Sequence, residues 1–212
     1  MLTIEIVSDF VCPWCYIGTA RLKTAVAMVR EQRPDFAYRP FWKPFFLNPD
    51  TPPEGEPYLP FLVNKFGGIE KVEAIFERVR AAGRPYGIEY AFEKIPYRAN
   101  TLKAHRLAAW AQAQGEAVPL IERLYSANFQ RGEHIGDPDT LVRIAGECGY
   151  DTAAVSAFLA SHELEAEVLK EAGEVVGKGI TMVPTFIIGG KEIIVGAEDP
   201  AILAEGIRKA LA

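Results

Sequence analysis

The segment from Cys12 to Cys15, two cysteines around a Pro-Trp pair, constrains the fold of this 212-residue chain most. The residues before it, Leu2 to Phe10, are largely apolar and β-branched and predict a buried strand. Pro13 is tolerated at the first position of a helix, and apolar residues at helical spacing follow it to about Arg30. A strand that leads into a CxxC pair at the start of a helix indicates thiol chemistry.

The positions of the two thiols predict which one is the nucleophile and which one resolves the mixed disulfide. Backbone N–H groups and the macrodipole at a helix N-terminus stabilise a thiolate, which favours Cys12 as the nucleophile. Cys15 lies one turn further on, where it can attack a mixed disulfide formed on Cys12. Two alternatives remain: an inert buried pair, and a zinc site. A zinc site needs two further ligands from the dispersed candidates Cys148, His105, His134 and His162. Cys148, with apolar neighbours, is predicted to be a structural thiol.

Composition narrows the class of protein. Hydrophobic residues make up 49% and charged residues 24% of the chain, which is typical of a globular protein. The net charge of −5 and the lack of a basic stripe argue against nucleic acid as a partner. The longest uncharged stretch, Gly179 to Gly190, is shorter than the ~20 residues that span a bilayer, so no membrane association is expected. Acidic Glu5 and Asp9 interrupt the N-terminal segment where a secretory signal needs an apolar core, and we therefore expect a cytoplasmic protein.

Proline and glycine divide the chain. Five prolines lie between Asn48 and Pro60, which predicts a linker. Helical spacing dominates the following region, in the segments Leu59–Phe66, Ile69–Ala82, Thr101–Gln114, Val118–Arg131, Pro138–Cys148 and Thr152–Lys178. Two short apolar runs, 184–188 and 192–195, flank a Gly-Gly-Lys turn and predict a hairpin before a last helix capped by Asp199. We therefore expect an α/β domain formed by residues 1–60 and 179–212, with residues 61–178 as an all-helical insertion.

Four sequence segments resemble a known family. The strand–CxxC–helix unit together with Val183-Pro184-Thr185-Phe186 resembles the thioredoxin superfamily, and the long helical insertion is similar to that of the DsbA family. More narrowly, the chain resembles the FrnE-like branch of that family along its whole length, in SDFVCPWCYIG (8–18), LNPDTPPEG (47–55), NTLKAHRL (100–107) and GITMVPTFIIGG (179–190).

The resemblance implies a thioredoxin fold interrupted by a large helical insertion and a thiol–disulfide oxidoreductase that acts on proteins or peptides. Cys12 attacks and Cys15 resolves, without a metal or cofactor, and glutathione is a further candidate partner. A proline opening a strand is, by itself, usually an edge residue. By the resemblance, Pro184 is instead a cis-proline that faces the CxxC pair, and the Val183 backbone pairs with the substrate. The expected substrate-binding residues are Pro13, Trp14, Met182, Val183 and Pro184.

The chain departs from these relatives at two positions. Thioredoxin and DsbA carry a buried acid six residues before the first cysteine, where this chain has Ile6. Asp9 is then open to two interpretations, a cap of the turn or part of a proton route to Cys15. Met182 replaces a glycine of many relatives and adds apolar surface beside the thiols. Trp14 is either an exposed recognition surface or packed against the insertion.

Two other functions remain as alternatives. The kappa-like branch, glutathione-dependent transferases and isomerases, shares this architecture but typically has serine at the first cysteine. A thioredoxin-like binding module needs no cysteine at all. The presence of both Cys12 and Cys15 argues against both. His105, on a helix face with apolar neighbours, is interpreted as a packing residue and is not assigned to catalysis.

Overall fold

The computed structural model describes residues 1–115 and 117–212. The strands are β1 (Leu2–Ser8), β2 (Tyr38–Pro44), β3 (Glu56–Pro57), β4 (Tyr97–Arg98), β5 (Thr185–Ile188) and β6 (Glu192–Val195). The helices are α1 (Pro13–Gln32), α2 (Tyr58–Phe66), α3 (Ile69–Gly83), α4 (Leu102–Gln114), α5 (Val118–Ser126), α6 (Pro138–Glu147), α7 (Thr152–Ala160), α8 (Glu165–Gly177) and α9 (Pro200–Ala210).

Two compact units make up the chain. The first consists of residues Met1–Phe45 and Leu169–Ala212, and the second of Phe46–Val168. The α/β unit is thus assembled from both ends of the chain, and the second unit is mainly helical, in keeping with the architecture predicted from the sequence. The domain boundaries expected at residues 60 and 178 stay a prediction.

A four-stranded mixed sheet forms the centre of the first unit, in the order β2-β1-β5-β6. Strand β1 is parallel to β2 and antiparallel to β5, which pairs with β6 as the predicted hairpin. Ile6 and Phe186 are paired neighbours on β1 and β5, and both are fully buried. Helices α1 and α9 pack against each other, and the α1 backbone approaches the Phe186 ring at Gly18.

The opposite face of β1 carries a second apolar cluster. Val7, Phe45 and Val175 form its buried part, so helix α8 contributes to this cluster. At its edge the Lys43 ammonium lies 3.1 Å from the Glu171 carboxylate and 3.6 Å from that of Glu5. Both faces of β1 are therefore packed, whereas on β6 the side chains of Ile193 and Val195 are 61% and 41% exposed.

In the second unit, apolar helix faces and a stack of aromatic rings form the core. The ring of Phe92 stacks on those of Phe76 and Tyr90 at 4.2 and 5.0 Å between centroids. Arg123 pairs with Glu133 at 2.6 Å and with Glu147 at 2.7 Å. Strands β3 and β4 form a separate two-stranded antiparallel sheet in this unit.

The single helix predicted over Thr152–Lys178 is wrong. Helix α7 ends at Ala160 and α8 begins at Glu165, because residues 161–164 leave helical geometry, with Leu164 at a φ of 59°. The Ser161 side chain accepts a hydrogen bond from the Glu163 N–H and donates one to the Phe158 carbonyl. The buried Arg106 guanidinium donates to the carbonyls of Phe158, Ser161 and Glu163, so a residue of α4 stabilises the break.

Smaller differences concern helix ends. The predicted helix 118–131 is α-helical only to Ser126 and finishes as a π-helical turn, Ala127–Arg131. Asn100 precedes the N-cap residue Thr101 of α4, although its side chain accepts a hydrogen bond from the Leu102 N–H. Asp137 caps α6, and the predicted cap Asp199 of α9 is confirmed, since each carboxylate accepts a backbone N–H of the following helix. Among the described residues, no helix has the length and apolar character needed to cross a membrane.

Candidate active site

The turn between β1 and α1 presents both cysteines. The Ser8 carbonyl at the end of β1 accepts the Phe45 N–H at 3.0 Å, and the Asp9 carbonyl accepts the Cys12 N–H at 3.1 Å. Cys12 is the N-cap residue of α1, with extended backbone angles, and Pro13 occupies the first turn. The Cys15 N–H then donates to the Cys12 carbonyl at 3.1 Å. The strand end and the helix start therefore hold the pair in one short, hydrogen-bonded segment.

The two sulfur atoms lie in different environments. Cys12 is 4% exposed and its thiol donates a hydrogen bond to the Val183 carbonyl at 3.8 Å. Cys15 is 0% exposed. Burial raises the pKa of the Cys15 thiol well above its ordinary value, and the hydrogen bond and charge of Cys12 raise it further. Cys12 is thus the more accessible thiol. Its exposure is nevertheless low for a residue at a helix N-terminus, because the Val183 segment covers it.

The segment Met182–Thr185 lies next to the cysteines. The Val183–Pro184 peptide bond is cis. The Pro184 carbonyl accepts the Gly196 N–H at 2.7 Å, and the Thr185 hydroxyl donates to the Met182 carbonyl at 2.7 Å, which fixes both ends of the segment. Val183 packs against the cluster of Val7, Phe45 and Val175, whereas Met182 is 63% exposed.

The structure thus brings together most of the residues singled out from the sequence. Cys12, Cys15, Val183 and Pro184 are close neighbours, and Pro13 and Trp14 lie half-buried between the cysteines. Met182 presents an apolar side chain to solvent beside them.

The remaining sequence candidates belong to the second unit. His105 is 5% exposed, and its ring meets that of Phe46 edge-on at 5.1 Å, as expected of a packing residue. Cys148 is half-buried at the end of α6, and burial raises the pKa of its thiol. Among the described residues, no group of three or more His, Cys, Asp or Glu side chains could hold a metal ion.

Sequence reasoning missed two contacts that shape the site. A Cβ atom added to Gly18 on α1 would lie only 2.8 Å from Pro184 Cγ. The helix backbone and the cis-proline segment are therefore in close contact at a residue that has no side chain. The Arg21 guanidinium on α1 donates to the Ala197 carbonyl and ties the loop after β6 to the same helix. A glycine on the buried face of a predicted helix was the available signal for the first contact, because such a residue often marks a close approach.

The chain is similar to known proteins in both sequence and structure. Residues 3–208 match the model of the DSBA-like thioredoxin domain. YwbO from Bacillus subtilis is 28% identical over 207 residues, which cover 96% of this chain and 94% of YwbO. The crystal structure of a probable DsbA oxidoreductase from Streptomyces coelicolor superposes with a TM-score of 0.90 at 27% identity, covering 100% of this chain and 90% of that one.

A more distant structure has the same fold. The cytosolic disulfide reductase DsbM from Pseudomonas aeruginosa, solved with glutathione, superposes with a TM-score of 0.64 at 17% identity, covering 99% of this chain and 98% of DsbM. The family match spans nearly the whole chain, and the solved structures of this fold include disulfide oxidoreductases. The chain therefore belongs to the DSBA-like thioredoxin domain family.

Proposed function

We propose that this protein is a thiol–disulfide oxidoreductase that exchanges disulfides with protein or peptide substrates through Cys12 and Cys15. The observation that carries the proposal is the pairing of the two thiols in the first turn of α1, with Cys12 Sγ 3.8 Å from the Val183 carbonyl. A nucleophilic thiol beside the Val183 backbone suits attack on a disulfide that is held in an extended chain.

Reduction of a substrate disulfide takes two steps. The Cys12 thiolate attacks one substrate sulfur, the substrate S–S bond breaks, and the other substrate sulfur leaves as a thiolate. Cys15 then attacks Cys12 Sγ, which breaks the mixed disulfide and releases the second substrate thiol. The substrate gains two electrons and the protein ends with a Cys12–Cys15 disulfide. The reverse sequence oxidises a dithiol substrate.

Substrate binding is assigned to the residues around Cys12. A peptide in extended conformation would pair with the backbone of Val183, while Pro184, Pro13 and Trp14 line its path. Exposed Met182 offers a flexible apolar contact that adapts to different side chains.

The partners we propose are protein or peptide thiols and disulfides, with glutathione as a candidate reductant. The structure of DsbM with glutathione supports a glutathione role on this fold. We propose a cytoplasmic setting, which agrees with the presence of only three cysteines in the chain and with the similar fold of cytosolic DsbM. Neither nucleic acid nor a membrane is part of the proposal.

Three cysteine variants test this function. Cys15→Ala should accumulate a mixed disulfide between Cys12 and the substrate, because no thiol remains to resolve it. Cys12→Ala should reduce the rate of insulin reduction by dithiothreitol to that of the reaction without protein. Cys148→Ala is the matched control and should keep the full rate, since Cys148 belongs to the other compact unit. Mass spectrometry under non-reducing conditions identifies the trapped species.

Other results would favour the alternatives. A kappa-like transferase or isomerase requires glutathione for turnover and tolerates loss of Cys15. A binding module retains its affinity for a partner when both cysteines are replaced. Turnover that depends on thiols and survives Cys12→Ala would contradict the proposed function.

A further inference from the structure

A cleft between helices α4, α6 and α7 is lined by residues of the second unit alone. Its volume is about 460 Å³, within the range of about 300–1,000 Å³ that small-molecule sites occupy. Residues three apart on a helix share a face, and two helices line the cleft with such pairs. The pairs are Lys103 and Arg106 on α4 and Asp139 and Val142 on α6.

Arg106 is the buried cation of this cleft, with an exposure of 2%. Its Nε donates to the Glu163 carbonyl at 2.9 Å, and its Nη2 donates to the carbonyls of Phe158 and Ser161 at 3.2 and 2.7 Å. Within the part of the chain that the structure describes, Nη1 has no hydrogen-bond partner and the guanidinium forms no ion pair. A buried charge whose protein partners are neutral carbonyls favours an anion at its remaining donors.

Lys103 adds a second cation on the same face of α4. It is half-buried and has no hydrogen bond or ion pair with any described residue. The guanidinium of Arg106 offers one nitrogen rather than a two-nitrogen fork, and acidic residues also line the cleft. Both features disfavour a doubly charged phosphate and favour a carboxylate, which carries a single charge.

The acidic residues of the cleft have different surroundings. Glu165 Oε2 lies 2.9 Å from His162 Nδ1, and this hydrogen bond, more than the charges of His162, Arg106 and Lys103, lowers the pKa of Glu165. Asp139, in contrast, forms no ion pair with any described residue. Its carboxylate therefore supplies a negative charge on a different helix from the two cations.

Apolar side chains complete the lining. Val142 is half-buried and Leu159 on α7 is 4% exposed, and both contribute to the cleft. A site that combines two cations, an acid without an ion pair and an apolar wall matches a ligand with both charges and an apolar group.

We propose that this cleft binds a free amino acid that has an apolar side chain. The ligand carboxylate accepts hydrogen bonds from Lys103 and from Nη1 of Arg106, and its ammonium group pairs with Asp139. Its side chain packs on Val142 and Leu159. The proposal adds a binding site to the proposed thiol–disulfide exchange and does not depend on it, since no residue of this site is a thiol.

Isothermal titration of the full chain with leucine tests the site, and three other probes identify the groups that it recognises. Leucinamide lacks the carboxylate, 4-methylpentanoate lacks the ammonium group, and inorganic phosphate is an anion without either feature. Leucine should bind saturably. Leucinamide and 4-methylpentanoate should each bind about tenfold more weakly, because one charged pair is lost in each case, and phosphate should not saturate the site.

Two substitutions assign the charged groups. Lys103→Gln should weaken the binding of leucine and of 4-methylpentanoate about tenfold, because both carry the carboxylate. Asp139→Asn should weaken leucine binding about tenfold and leave 4-methylpentanoate binding unchanged. Lys103→Arg keeps the charge and should retain binding, which keeps the test decisive if Lys103→Gln folds poorly.

Two control variants locate the site. Lys178→Gln removes an exposed lysine of the first unit, and the double variant Cys12→Ser/Cys15→Ser removes both thiols of the proposed active site. Both should bind leucine with the wild-type affinity. Loss of leucine binding in the double variant would assign the ligand to the thiols and overturn the proposal.

Three further results would overturn it. The first is the absence of saturable leucine binding to the wild-type protein up to about 10 mM. The second is unchanged affinity in folded Lys103→Gln. The third is phosphate binding as tight as that of leucine together with tighter binding in Asp139→Asn, because the cleft would then be an anion site. Failure of insulin reduction would contradict only the proposed thiol–disulfide exchange, so the two failures are distinguishable.

Discussion

The contact between Gly18 and Pro184 is open to a direct test by Gly18→Ala. The added Cβ would lie 2.8 Å from Pro184 Cγ and 3.1 Å from Phe186 Cζ, both closer than ordinary van der Waals contact. A proline ring has little freedom to bend away, so α1 or the Met182–Thr185 segment must shift. Overpacking of this kind costs about 1–3 kcal/mol of the free energy of unfolding.

A second effect opposes this loss. Alanine is favoured over glycine in a helix interior by about 1 kcal/mol. The expected net change for Gly18→Ala is therefore a loss of roughly 0–2 kcal/mol. Separation of Val183 from Cys12 should also slow insulin reduction, by up to about tenfold, because a small misplacement in an active site is amplified in the rate.

Gly173 on α8 provides the matched control. It is also inside a helix, but an added Cβ there meets no atom within 4 Å. Gly173→Ala should stabilise the protein by about 1 kcal/mol and leave insulin reduction unchanged. The difference between the unfolding free energies of the two variants in urea isolates the steric penalty at Gly18, since the gain in helix propensity is common to both. Equal stabilisation by both substitutions would refute the argument that the helix and the proline segment are in tight contact.

Two further predictions concern the second unit. Arg106→Ala should lower the free energy of unfolding by about 2–4 kcal/mol, because it leaves the carbonyls between α7 and α8 without their buried donor. Urea titration measures this change, and a loss below about 0.5 kcal/mol would contradict the role of Arg106. Burial by itself would raise the pKa of Glu133, but its hydrogen bond and ion pair with Arg123 outweigh burial and lower it. Glu133 therefore adds stability above its unfolded pKa of about 4.3, and this stability is lost as pH falls through the lower folded value. Glu133→Gln should reduce that loss in unfolding measured as a function of pH, and an unchanged slope would argue against the pairing.

Local patterns were enough to predict much of the α/β unit. The apolar run before Cys12, the proline at the start of α1 and the Gly-Gly-Lys turn each act within a few residues, and β1, α1 and the β5–β6 hairpin follow them. The caps Asp137 and Asp199 were also predictable, because a side chain that accepts an N–H two or three residues later needs no distant partner.

Long-range contacts explain the errors. Within Thr152–Lys178, the break after Ala160 has only the local hydrogen bonds of Ser161, and the guanidinium that further stabilises it comes from Arg106 on α4. The low exposure of Cys12 likewise depends on Val183, which lies 171 positions away in the chain.

The sequence by itself determined the two thiols, their spacing, their place at the start of a helix and the apolar runs that form β1 and the β5–β6 hairpin, because each depends on neighbouring residues. Only the tertiary structure decided how deeply each thiol is buried and what covers it. The burial of Cys12 beneath Val183 and the close contact at Gly18 both involve the segment that leads into β5, which pairs with β1. Ionisation of a thiol depends on the charges and solvent around it in space, and those surroundings exist only in the folded chain.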